Sequence, residues 1–122
     1  MEPLDTQGLT RTINEVLVLS TLREGAKHGY QIALDVESGS EGAFLLQHGT
    51  LYPILHRLER EGLIRGKWTE PAGERRRKQY ALTAAGRRRL GEQTGEVRAV
   101  FDRLMVLLGE NDEPFRTGLA TS

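Results

Sequence analysis

A short helix closed by a glycine, two β-like runs joined by a basic loop, and a long final helix with a heptad seam predict the fold class. It is α+β, mainly α: a winged helix-turn-helix domain over residues 8–82 and a C-terminal dimerisation helix over residues 83–109. The helix carries G-T-L-Y-P-I-L-H-R-L-E-R-E-G from Gly49 to Gly62. The hairpin follows over residues 63–82, with Arg75, Arg76, Arg77 and Lys78 just past its turn.

The charge distribution gives that outline a partner. The chain as a whole balances 17 Lys and Arg against 17 Asp and Glu. Residues 47–90, however, hold 11 basic and 4 acidic side chains, a balance of +7, which leaves 6 against 13, or −7, elsewhere. Clustered Lys and Arg attract a polyanion whatever the total charge, so the segment points toward nucleic acid.

The length of 122 residues allows one domain and an appended element. The absence of cysteine excludes a disulfide framework and a thiolate zinc site. No apolar run approaches the roughly 18 residues that span a bilayer. The opening Met1-Glu2-Pro3-Leu4-Asp5 lacks the basic and apolar regions of a signal peptide, so a cytoplasmic protein is expected. His28, His48 and His56 lack close metal-ligand spacing, and there is no Gly-rich phosphate loop or nucleophile elbow. Neither an enzyme nor a cofactor or metal is expected.

Taken in order, the first helix is expected to start near residues 10–12, where Thr12-Ile13-Asn14-Glu15 has capping-box spacing. Ile13, Val16, Leu17, Val18, Leu19 and Leu22 make it apolar around most of its girth, and Gly25 closes it. A second helix runs from about His28 or Gly29 to Glu37, with Tyr30 and Leu34, and Ile32 and Val36, each four apart. Residues 43–46 suggest a short strand. The third helix aligns Leu51, Leu55 and Leu58 with Ile54 toward the core. Because proline suits the first turn, Pro53 dates its start to about Thr50, whose hydroxyl would cap it. Residues 63–69 and 78–82 form the strands, with Trp68 expected to pack the hairpin onto the core.

Thr83 is placed to cap the last helix. Along it Leu90, Thr94, Val97, Phe101, Leu104 and Leu108 are spaced as a heptad seam, weakened near its start by Gly91 and Gly95. A polar tail, residues 110–122, is expected to be disordered.

A helix entering the major groove needs short or planar polar groups near its N-terminus. Thr50, Tyr52, His56 and Arg57 meet that need: Arg57 suits guanine, while Thr50 and Tyr52 equally suit phosphate. Tyr52 also fits a half-buried aromatic that plugs the turn. Arg75, Arg76, Arg77 and Lys78 suit a wing along the phosphate backbone or minor groove, half of them facing each way. Of Arg87, Arg88 and Arg89, one is expected to reach phosphate. Glu59 and Arg60 read as an exposed helix pair.

His28-Gly29-Tyr30, Gly49-Thr50-Leu51-Tyr52-Pro53, Arg57-Leu58-Glu59, Glu61-Gly62-Leu63-Ile64, Lys78-Gln79-Tyr80 and Leu82-Thr83-Ala84-Ala85-Gly86-Arg87 together resemble the PadR family of bacterial transcriptional regulators. The Gln47-His48 pair and Trp68 fit its small members with a single C-terminal helix. The resemblance implies a dimer held mainly by that helix, and repression through double-stranded operator DNA. It also implies that Tyr30, Thr50, Tyr52 and Pro53 face DNA. Some family members respond to phenolic acids or to planar drugs bound at the dimer interface. Here residues 83–109 have no tryptophan, and Phe101 is their one aromatic residue, so a drug-sandwiching pocket is not expected. A different small-molecule effector remains open.

The expected function is a homodimeric repressor with a pseudo-palindromic operator. The alternatives are a winged helix that docks on an acidic protein partner, or an adaptor without DNA binding.

Overall fold

The computed structural model describes residues 5–70, 73 and 75–109. Within them the elements run α1 (Thr6–Thr21), β1 (Lys27–His28), α2 (Gly29–Gly39), α3 (His48–Arg60), β2 (Ile64–Thr69), β3 (Arg77–Leu82) and α4 (Ala84–Leu107). This is a winged helix-turn-helix: three helices around one core, a hairpin wing, and a long final helix. The tail expected beyond residue 109, and Pro71 and Ala72 of the hairpin turn, lie outside the described residues. Among the described residues no helix is long and apolar enough to cross a membrane.

The core forms where the apolar stripes of the helices converge. Val18 and Leu19 of α1, with Leu22 at its C-cap, meet Ile32 and Val36 of α2 and Leu51, Ile54, Leu55 and Leu58 of α3. Leu63, Ile64 and Tyr80 close it from the wing side. Burying each such side chain contributes about 1.5–3 kcal/mol, enough to impose these helix faces on the chain.

Three termini fix the path of the chain. α3 ends at Gly62, whose φ of 77° is the left-handed conformation glycine adopts without a Cβ penalty. There Leu63 N–H donates to Leu58 O at 2.9 Å and Gly62 N–H to Glu59 O at 3.0 Å, the paired bonds of a Schellman motif. That turn aims the chain into β2. Thr83 then caps α4, as its spacing suggested: its hydroxyl oxygen accepts from Gly86 N–H at 3.0 Å and its O–H donates to Gly62 O at 2.7 Å. Gly86 permits this closeness, because a Cβ there would strike the carbonyl oxygen of Leu63. The third terminus departs from expectation. α1 starts at Thr6, where the side chain of Asp5 accepts from Gly8 N–H. An aspartate cap upstream therefore extends the helix past Thr12, and Thr12 and Glu15 lie in its middle.

The strand expected at residues 43–46 is absent: Ala43, Phe44 and Leu45 are exposed irregular backbone and only Leu46 is buried. The third strand is the two-residue β1 instead. It pairs with β3 through Lys27↔Tyr80 and His28↔Gln79, giving the order β1–β3–β2. Two residues carry too little periodicity to be read as a strand. β2 and β3 pair antiparallel from Ile64↔Leu82 to Thr69↔Arg77. Ile64, Gly66 and Trp68 share the inner face of this hairpin with Leu82, Tyr80 and Lys78. Trp68 is nevertheless 53% exposed and does not pack the core. Trp68 is the penultimate residue of β2, toward the tip of the hairpin, where Arg76 and Lys78 flank its ring at 4.8 and 5.8 Å.

Candidate nucleic-acid interface

α3 exposes one stripe and buries the opposite one. Gly49, Pro53, His56 and Arg60 are exposed and recur at i, i+4, i+7 and i+11, opposite Leu51, Ile54, Leu55 and Leu58. Thr50 is exposed beside this stripe. The helix starts at His48 rather than at Thr50, with Gln47 as a cap that makes no side-chain bond. Thr50 is thus a first-turn residue, not the cap, and Pro53 lies in the second turn. Proline supplies no N–H for the Gly49 carbonyl, and both residues are exposed to solvent.

Two flanks border the stripe. On the first, Tyr52 is half-buried against the start of α2. A Cβ on Gly29 would lie 2.7 Å from Tyr52 Oη and 3.1 Å from two ring carbons, so Gly29 and Tyr52 form one packing unit across the two helices. The ring of His48 lies 5.6 Å from that of Tyr52 and 6.4 Å from that of Tyr30, which is exposed as the second residue of α2. Tyr30, His48 and Tyr52 therefore line one edge of the exposed face. Sequence reading missed His48 at this edge and set Arg60 aside. Helical spacing from Gly49 could have found Arg60; the place of His48 depends on the start of α3.

The second flank corrects the reading of Arg57. Its guanidinium is turned toward α1, where Nη1 donates to Glu15 Oε1 at 2.9 Å, and it lies 3.6 Å from Glu61 Oε2. The guanidinium is thus engaged within the protein rather than held out from α3, and the side chain is 21% exposed.

The wing holds the remaining basic groups. Arg75 and Arg76 precede β3, Arg77 begins it, and all three are exposed. Arg76 Nε lies 3.4 Å from Glu70 Oε2, an exposed pair. Lys78 faces inward: its Nζ donates to Glu59 Oε1 at 3.0 Å and lies 5.6 Å from the centre of the Tyr80 ring. Glu59 is thus not half of an exposed pair with Arg60. It joins α3 to the wing, also accepting Gly66 N–H. Burial pushes the Tyr80 phenol above its usual pKa, aided by the nearby Glu59 carboxylate and Tyr52. Of the three arginines opening α4, Arg87 and Arg88 are exposed and Arg89 is bound to Glu15.

The expected seam on α4 splits in two. Leu90, only 7% exposed, belongs to the core of its own domain and has no surface to offer a partner. Val97 is half-buried beside an open groove of ≈ 530 Å³ that Val16, Thr94, Arg98 and Phe101 also line. Phe101 and Leu104 are 41% and 42% exposed, and Leu108 is exposed beyond them. α4 runs unbroken through Gly91 and Gly95. Among the described residues no cluster of three metal-ligating side chains occurs.

The family profile described as "Transcriptional regulator PadR-like family" matches residues 18–92, from the buried end of α1 through both motif helices and the wing into α4. The chain belongs to the PadR-like family of transcriptional regulators. A PadR family transcriptional regulator from Eggerthella lenta is similar at 34% identity, with a TM-score of 0.69 over 84% of this chain and 88% of that one. Bacillus subtilis PadR, solved in complex with operator DNA, is similar at 28% identity and a TM-score of 0.61, over 66% of this chain and 45% of that one. The transcriptional regulator YqjI of Escherichia coli K12 is 29% identical over 89 residues, and this PadR-like chain spans 41% of its length.

Proposed function

We propose that this chain is a DNA-binding repressor that acts as a homodimer on a pseudo-palindromic operator. The observation that carries the reading is the exposed α3 stripe of Gly49, Pro53, His56 and Arg60, flanked by Thr50 and by the Tyr30–His48–Tyr52 edge. It stands next to a wing with exposed Arg75, Arg76 and Arg77. α3 enters the major groove from its N-terminal end, where unpaired backbone N–H groups favour phosphate and short side chains reach base edges. The wing follows the flanking backbone, and Tyr30 at the start of α2 meets phosphate. The similarity to a PadR solved with operator DNA supports the same use of this surface.

The dimer rests on the exposed part of the seam. Val97, Phe101, Leu104 and Leu108 would be covered by the same residues of a second copy, which an isologous two-fold contact provides. Two α3 helices would then meet half-sites about 34–36 Å apart, or a multiple of that.

Gel retardation with the promoter region of the chain's own gene tests the reading. Salt-sensitive binding, retained against excess unrelated duplex, is expected. Equal affinity for the two duplexes, or none, would favour the protein-docking alternative.

A further inference from the structure

Glu15 is the one charged side chain buried among the described residues, at 2% exposure. Its two carboxylate oxygens are held by arginines from two different helices. Arg57 of α3 donates to Oε1 at 2.9 Å, and Arg89 of α4 donates to Oε2 at 2.9 Å. Glu61, at the end of α3, lies 3.6 Å from Arg57 and 3.8 Å from Arg89 and completes a four-charge network. α1 packs against both α3 and α4, whereas α3 and α4 share little direct packing. The bond from Thr83 to Gly62 ties the end of α3 to the start of α4 at one point; the network adds a second directional link, through α1, away from that point.

Stability alone is a weak reason for such a network. Replacing a buried ion pair or triad with apolar side chains of similar volume is often neutral or stabilising, because desolvation offsets the attraction. What a carboxylate bound on both oxygens adds is geometry: charge-assisted hydrogen bonds have preferred directions that apolar contacts lack. We infer that Glu15, Arg57 and Arg89 are positioning residues that fix the angle of α3 to α4, and through it the half-site spacing the dimer accepts. This rests on the dimeric DNA-binding reading above for its consequence, but not for its geometry.

The absence of native cysteine allows a direct test. Cysteines introduced as Arg60→Cys on α3 and Glu96→Cys on α4 take spin labels, and dilution into unlabelled protein isolates the distance within one chain. The parent gives one narrow distribution. Arg89→Gln, which cuts only the α4 arm, and the apolar triple Glu15→Leu/Arg57→Met/Arg89→Met, which leaves no buried charge because the remaining Glu61 is exposed, both broaden or shift it while remaining folded by circular dichroism. On duplexes whose half-sites differ only in separation, both variants, made without the label cysteines so that Arg60 is kept, lose the unlabelled parent's preference for one spacing but keep its affinity for a single half-site. An unchanged distance distribution in either folded variant overturns the inference, whatever happens on DNA. If the distribution broadens but the parent binds no duplex, the clamp stands and the DNA-binding reading fails. A parallel loss on every duplex, single half-sites included, would reduce the network to general support of the fold and also overturn the inference.

Discussion

Gly66 N–H donates to Glu59 Oε2 across 3.2 Å, so the first strand of the wing is bonded to the side of α3. The same carboxylate holds Lys78 from the second strand at 3.0 Å. The wing is thus set against the helix by one side chain, and the glycine makes room for it. A Cβ at position 66 would lie 3.0 Å from Glu59 Oε2 and would meet Lys78 Cε.

Gly66→Ala is therefore expected to displace the flexible end of Lys78 and stretch the bond to Glu59, at a cost of about 1–2 kcal/mol. Glu59→Ala removes both bonds and is expected to cost a similar amount. Chemical denaturation of the two single variants and the double variant checks this. Because both changes break the same bonds, the double variant should lose less than the sum of the singles. Simple additivity would mean the contact does not hold the wing.

Wing charges should divide by the direction they face. Arg75→Ala is expected to lower the slope of log affinity against log salt by about 0.9, the loss of one phosphate contact. Lys78→Ala should leave the slope almost unchanged, since its ammonium is held by Glu59. Binding isotherms at several salt concentrations measure both. A larger slope change for Lys78 than for Arg75 would reverse the assignment.

Acid should loosen the joint between β1 and α2. The hydrogen bond from Lys27 holds the Asp35 carboxyl below its usual pKa, and that from Gln31 adds to the effect against a small opposing one from burial. A depressed carboxyl binds its proton less readily when folded than unfolded. Its stabilisation is complete above the unfolded pKa of about 3.9 and is lost as pH falls through the lower folded value. The denaturation midpoint should therefore drop below about pH 4, and Asp35→Asn should flatten that part of the curve. A curve of the same shape in the variant would place the acid sensitivity elsewhere.

On α4, two parts of one heptad seam, about three turns apart, should respond in different ways. Leu90→Ala is expected to destabilise the domain by about 2–5 kcal/mol, as a buried leucine does. Phe101→Asp/Leu104→Asp should leave the fold intact and give monomers in sedimentation. A folded dimer of the second variant would move the contact away from the seam.

This split also shows what the sequence conveyed. Heptad spacing marks Leu90 and Leu104 alike, because it records which residues share a helix face and not what covers that face. Only the packing of α1 along the first turns of α4 separates them. The helices, the hairpin and the α4 cap were legible because Leu51–Leu58 periodicity, Gly62 and Thr83 each act locally. The start of α1 was misread because Thr12 and Glu15 have the spacing of a capping box, whereas Asp5 holds the cap. The same glutamate explains the misplaced Arg57. It is 42 residues away in sequence, and nothing local indicates that a helix-surface arginine turns inward to meet it. Residue type assigns Trp68 to the core, yet it stands near the tip end of β2 between Arg76 and Lys78.

In the proposed complex two α3 helices, held at a fixed separation, read one face of duplex DNA, and hydroxyl-radical footprinting on the chain's own promoter tests this. Two protected patches related by two-fold symmetry are expected, with centres about 34–36 Å apart or at a multiple of that. These patches should vanish together in Phe101→Asp/Leu104→Asp at concentrations where the parent protects both. A single patch, uniform protection without boundaries, or full protection by the monomeric variant would contradict it.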